Sequence, residues 1–179
     1  MLAGRFQQSL KVGGGGSNMD YSAATWSATD KYDINLSNGN KTATASGINV
    51  WSMVRSNLAI TGSIYVEVTT NDFGGTESIN TAVGLKLNTD GHSNSNPVSG
   101  NGMAIAPSDL QTYTYGISFN PTTGAYAIRR NNTLVASGTL TPSANWRVCL
   151  WTGWYYIGAI GVGTINTGAS AFTYTPVYL

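Results

Sequence analysis

Residues Tyr113 to Leu140 read YTYGISFNPTTGAYAIRRNNTLVASGTL, and this stretch decides the fold class. Tyr113, Tyr115, Ile117 and Phe119 alternate with Thr114, Gly116 and Ser118, the two-residue period of a strand with one apolar face. Asn120-Pro121-Thr122-Thr123-Gly124 then supplies a turn, in which proline presets φ for the first central position and glycine can take positive φ at the end. Tyr126 and Ile128 resume the alternation with Ala127 and Arg129. Asn131-Asn132, two residues that tolerate the left-handed conformation of a tight hairpin, reverse the chain into Thr133 to Leu140. Three antiparallel strands in so short a stretch predict an all-β domain.

The same period recurs on both sides. Ile34 and Leu36 alternate with polar neighbours, Asn38-Gly39 gives a two-residue hairpin signal, and Lys41 to Ser46 returns. Ile64, Val66 and Val68 share a face opposite Tyr65, Glu67 and Thr69, and Val83, Leu85 and Leu87 follow the same rule. On Trp146 to Trp151, Trp146, Val148 and Leu150 fall on one face and Arg147, Cys149 and Trp151 on the other. With Val54 to Ile60, Trp154 to Val162 and Ala171 to Tyr174, about ten to twelve strands are expected, which means a sandwich or barrel.

At 179 residues the chain can bury roughly 70% of its unfolded surface in a single core. Gly13 to Asn18 is too glycine-rich for an element interior, so residues 1–18 read as an N-terminal arm and hinge before a domain over 19–179. In the arm, Leu2, Phe6, Leu10 and Val12 stand at near-helical spacing with Arg5 and Lys11 between them. That segment is too short for a stable isolated helix and suits docking to another protein.

Charged residues make up 9% of the chain and the net charge is +1, which gives no footprint for nucleic acid. No apolar run resembles a signal peptide or approaches the roughly 20 residues that span a bilayer, so neither secretion nor membrane insertion is expected. The single cysteine, Cys149, excludes an intramolecular disulfide and reads as a small buried hydrophobe.

Catalysis by paired carboxylates has little to draw on. Glu67 and Glu77 are the only glutamates, and Asp72 and Glu77 flank Gly74-Gly75 in a loop. His92, the sole histidine, lies in the long polar loop Asn88 to Gly102, where a solvated side chain accounts for it better than a triad does. No enzymatic activity and no cofactor are expected. Asn88 and Asp90 offer alternate oxygen ligands ahead of Gly91, the beginning of a calcium loop, but the terminal glutamate is missing and turn chemistry accounts for the same residues. For ligand contact the candidates are Trp51, His92, Trp154 and Tyr156, three aromatic side chains and a loop histidine.

The hairpin Gly116 to Gly138 resembles the central strands of SPRY-type domains, in which Asp/Asn-Pro/Asn-x-x-Gly leads into an aromatic strand and a basic-Asn turn. Trp26-Ser27-Ala28-Thr29-Asp30-Lys31, Ile34 to Asn40, Ala43-Thr44, Val54-Arg55, Gly62 to Val68 and Ala171 to Pro176 resemble SPRY-like domains of bacteriophage structural proteins, over about residues 25 to 176. Met1 to Phe6 followed by polyglycine is similar to leader arms of phage virion proteins that carry lectin-like domains. Two positions depart from the pattern: Asn166-Thr167-Gly168 replaces Asn-Phe-Gly, and Met103-Ala104-Ile105 stands where an aromatic-glycine strand is common.

The resemblance implies an antiparallel β-sandwich of the SPRY or concanavalin-like jelly-roll type behind an extended N-terminal arm. It further implies a non-enzymatic virion protein made in the host cytoplasm. The arm would hold it on other virion proteins, and the sandwich would serve as a capsid decoration, head fibre or tail adsorption component. Homo-oligomeric or multivalent display and a host surface glycan as ligand belong to the same expectation. The alternatives are a free carbohydrate- or protein-binding module and, third, a glycan hydrolase. The glucanase branch of the superfamily carries Glu-x-Asp-x-(x)-Glu on one strand, and Glu67 is followed here by Val68-Thr69-Thr70-Asn71-Asp72 instead.

Overall fold

Alternating apolar residues need a second layer to bury their shared face, and the chain supplies it by folding as two antiparallel sheets. The structure, a computed structural model, describes residues 21–46, 52–71, 81–90, 102–105, 111–152 and 161–179. The described residues hold a 3-10 turn at Tyr21–Ala23 and twelve strands: β1 (Trp26–Tyr32), β2 (Ile34–Ser37), β3 (Thr42–Ala45), β4 (Ser52–Ser56), β5 (Ile64–Asn71), β6 (Thr81–Leu87), β7 (Gly102–Ile105), β8 (Tyr113–Phe119), β9 (Ala125–Arg130), β10 (Thr133–Thr139), β11 (Trp146–Thr152) and β12 (Val162–Asn166). One sheet runs β1-β4-β11-β6-β7, the other β10-β9-β8-β5-β12-β3-β2.

The hairpin pair forms as its turns dictate. β8 pairs with β9 and β9 with β10, with a bulge between Leu134 and Ala136. Asn131 and Asn132 both take positive φ, 46° and 69°. The Asn120 side chain accepts hydrogen bonds from the backbone N–H groups of Thr122 and Thr123, closing the first turn. Gly124 is obligatory there: its φ is 75°, and a Cβ would run into the Leu140 carbonyl.

Between the sheets lies one apolar core. Val66 and Val68 of β5, Tyr115, Ile117 and Phe119 of β8, Val83 and Leu85 of β6 and Trp146, Val148 and Leu150 of β11 are all buried in it. The alternation expected for β5, β6 and β11 therefore holds.

Two details differ from the expectation. The Asn38-Gly39 hairpin closes with a four-residue loop, since Ser37 pairs with Thr42. Asn38, Gly39 and Asn40 all have positive φ, and the Asn40 carbonyl is thereby free to accept the Trp26 N–H at 2.8 Å. The strand expected over Ala171 to Tyr174 is irregular chain instead. Its N–H groups at Thr173 and Tyr174 go to the Glu67 carboxylate at 2.7 and 2.8 Å, and Pro176 has none to give a ladder. Cys149 is buried as expected, and on the outside of the five-stranded sheet it packs with Trp151, Met53 and Ala82, all 0–1% exposed, while Arg147 on the same face is half-buried.

The irregular C-terminal residues cover the outside of the seven-stranded sheet. Phe172 stands edge-on to Tyr65 at 4.9 Å between centroids, the Ser118 hydroxyl donates to the Val177 carbonyl, and Ser63 and Asn120 both donate to the Leu179 carbonyl. Glu67, 2% exposed, anchors this cover and also accepts a hydrogen bond from the Tyr65 hydroxyl at 3.2 Å. Burial, then the Glu67 carboxylate beside it, push the Tyr65 phenol well above its ordinary range, so it remains a donor.

Candidate binding end of the sandwich

The registers align the strands so that the two ends of the sandwich can be told apart. At one end stand Ala45, Ser52, Asn71, Thr81, Ile105, Tyr113, Thr152 and Val162. The crossings from β3 to β4, β5 to β6, β7 to β8 and β11 to β12 all leave one sheet and enter the other here.

The floor of this end is polar. Thr152 pairs with Ser52 on one side and Thr81 on the other, so three hydroxyls form one cross-strand row. Each alternates with a residue of the outer face, Trp151, Met53 and Ala82, and so points between the sheets. All three are 0% exposed, and Ser52 Oγ and Thr152 Oγ1 have no hydrogen-bond partner among the described residues. A buried hydroxyl left unpaired costs about 1–3 kcal/mol, so this row is energetically unfinished.

The facing sheet adds an aromatic and cationic rim. Tyr113 and Tyr115 meet edge-on at 6.1 Å, and the Arg130 guanidinium lies 4.6 Å from the centre of the Tyr113 ring. The Thr70 hydroxyl reaches the Tyr113 carbonyl at 3.5 Å. Hydroxyls, an arene and a guanidinium gathered at one end of the sandwich are suited to a ligand rich in hydrogen-bonding groups.

Most of the residues singled out from sequence fall outside the described residues. These are Leu2, Arg5, Phe6, Leu10 and Val12 of the arm, Trp51, His92, Trp154 and Tyr156 of the candidate ligand surface, and the loop acids Asp72 and Glu77. In sequence, Trp51 immediately precedes Ser52 and Trp154 follows Thr152 by two positions. Asn88 and Asp90 are described, in the turn after β6. The Asp90 carbonyl accepts the Arg55 guanidinium, whose positive charge opposes a cation at that place. Among the described residues no group of three or more His, Cys, Asp and Glu side chains converges.

Sequence reasoning missed the hydroxyl row because cross-strand register is invisible in one strand. One signal was available: alternation on β11 places Thr152 on the same face as Trp146, Val148 and Leu150.

No family model matches the chain, and no curated protein matches it in sequence. Solved structures do match in shape. The SPRY domain of human HERC1 superposes with a TM-score of 0.60 at 11% identity, covering 82% of this chain and 99% of that one. The fold is that of SPRY domains. A second human SPRY domain gives 0.57 at 15% identity over 80% of this chain and 100% of its own. The NEUZ (NHR) domain of Neuralized from Drosophila melanogaster gives 0.59 at 11% identity, covering 86% and 95%. At such identities the likeness is one of architecture alone.

Proposed function

We propose that this protein is a non-catalytic binding module that presents the hydroxyl-lined end of its sandwich to a ligand. One observation carries the proposal: both termini of the described domain lie at the opposite end. Tyr21 donates to Ser56 at the far end of β4, and Leu179 is held by Ser63 and Asn120, which precede β5 and follow β8. A carrier joined at either terminus leaves the hydroxyl-lined end pointing away from it. Glu67, where the glucanase motif is missing, is occupied as an acceptor of backbone N–H groups, and the candidate pair Asp72 and Glu77 lies outside the described residues.

The carrier we propose is a phage particle. The likeness of Trp26 to Asn40 and Ala171 to Pro176 to phage SPRY-like domains supports it, as does the apolar arm with Leu2, Phe6, Leu10 and Val12. In this reading the arm docks on a neighbouring virion protein, and many copies display weak sites whose contacts sum. Deleting residues 1–16 is expected to abolish incorporation into particles while the domain still folds; full occupancy by the shortened chain sinks the anchoring role. Glycan-array and host-surface binding by the domain is expected to fall when Trp51→Ala or Trp154→Ala is introduced. Binding unchanged by both would move the site elsewhere.

A further inference from the structure

We propose that Phe172 to Leu179 form a releasable strap, because the Glu67 carboxylate that holds them has a second partner within reach, the Arg129 guanidinium. No strand forms in these residues. Side chains of the sheet beneath hold them instead: Glu67 accepts the Thr173 and Tyr174 N–H groups, Tyr65 meets Phe172 edge-on, Ser118 donates to Val177, and Ser63 and Asn120 donate to Leu179. The root of the strap is fixed separately. The Thr167 hydroxyl is shared between the Ser22 and Ala24 carbonyls at 2.8 and 3.0 Å, and the Asn166 amide donates to the Ala171 carbonyl at 3.1 Å. Release therefore starts after Ala171 and leaves the sandwich itself intact.

The face under the strap is frustrated. Arg129 of β9 pairs with Gly116 of β8, and Gly116 pairs with Glu67 of β5, so cation and carboxylate share one cross-strand row with only a glycine between them. Two strand spacings put their Cα atoms about 10 Å apart, which the two side chains together can span. In the closed state they do not pair. Glu67 accepts from the strap and from the Tyr65 hydroxyl, while Arg129 keeps a buried Nη1 without a partner. Tyr65 takes the space between: a Cβ on Gly116 would strike its hydroxyl. Burial and then Glu67 raise the Tyr65 pKa, and the Arg129 charge is near enough to oppose them. Once Phe172 lifts away, Tyr65 can turn aside and Glu67 exchanges two N–H donors for a guanidinium. The unanswered guanidinium nitrogen destabilises the closed state, and opening relieves it. One carboxylate thus chooses between two arrangements. Opening uncovers Tyr65 and Ser118, which are buried in the closed state.

Hydrogen exchange of the Thr173 and Tyr174 amides in the full chain reads this equilibrium. Both amides should exchange about tenfold or more faster than those of β8, which open only with the whole domain. Glu67→Gln should speed them by about tenfold or more through the loss of charge-assisted hydrogen bonds. That acceleration alone also follows from a static contact. The deciding variant is Arg129→Met, which leaves the closed contacts in place and removes the partner in the open state. It should slow both amides by about threefold, the worth of a partly exposed ion pair. In the Glu67→Gln background the same substitution should leave the rates where they are. Arg129→Gln takes its place if Arg129→Met does not fold. The proposal fails if substituting Arg129 leaves the strap amides unchanged or speeds them. It fails equally if those amides exchange only as slowly as β8.

Discussion

The two ends of this sandwich enclose the same interior and finish it differently. Where the chain termini lie, the core ends in rings, and the polar atom of the largest is satisfied: Trp146 donates its indole N–H to the Thr141 carbonyl at 2.9 Å and meets Phe119 edge-on at 5.9 Å. At the other end the same β11 finishes in Thr152, beside Ser52 and Thr81, with two hydroxyls unanswered. The first end is built for stability. The second forgoes some of it, as binding sites commonly do.

This contrast can be broken by substitution. The largest effect is expected at the aromatic end, where Trp146→Ala should cost about 4 kcal/mol in chemical denaturation through the cavity it leaves against Phe119. Gly124→Ala, which forces a Cβ toward the Leu140 carbonyl at positive φ, should cost about 2 kcal/mol by the same measurement. At the hydroxyl end Thr152→Val and Ser52→Ala should change stability by no more than about 0.5 kcal/mol, or raise it, because each removes an unpaired buried polar atom. If those variants lose a kilocalorie or more, the hydroxyls have partners and the two ends are not different in kind. If stability holds while ligand binding falls, the contrast is sharpened into a division of labour.

How much of this was legible in the sequence follows from the range of the forces involved. Local turn chemistry announced both hairpins around β9, because Asn131-Asn132 and Asn120 to Gly124 act within a few residues. The alternation of β5 and β11 announced their inner faces. Register did not follow, since the pairing of Thr152 with Ser52 and Thr81 joins residues far apart in the chain. The C-terminal residues misled because Phe172 and Tyr174 alternate as a strand would; their backbone is claimed by a side chain, Glu67, more than a hundred positions away. Burial of the outer face of β11 left a fainter trace. Trp146 to Thr152 is apolar at positions of both parities, as strands covered on two sides are.

Cys149 has a practical consequence. It is the only thiol in the chain, wholly buried beneath the cationic outer face, and burial pushes its pKa up from 9.0 to about 12. Between those values the folded state keeps a proton that the unfolded state gives up, so stability should fall as pH rises through that window, by at most about 1.4 kcal/mol per unit, and Cys149→Ala should flatten that slope. At neutral pH the native protein should be inert to maleimides. A cysteine introduced at an exposed turn position such as Thr122 would then carry a fluorophore with no background, and the native thiol itself would serve as a clock: the rate at which it becomes alkylated reports how often the five-stranded sheet uncovers its outer side.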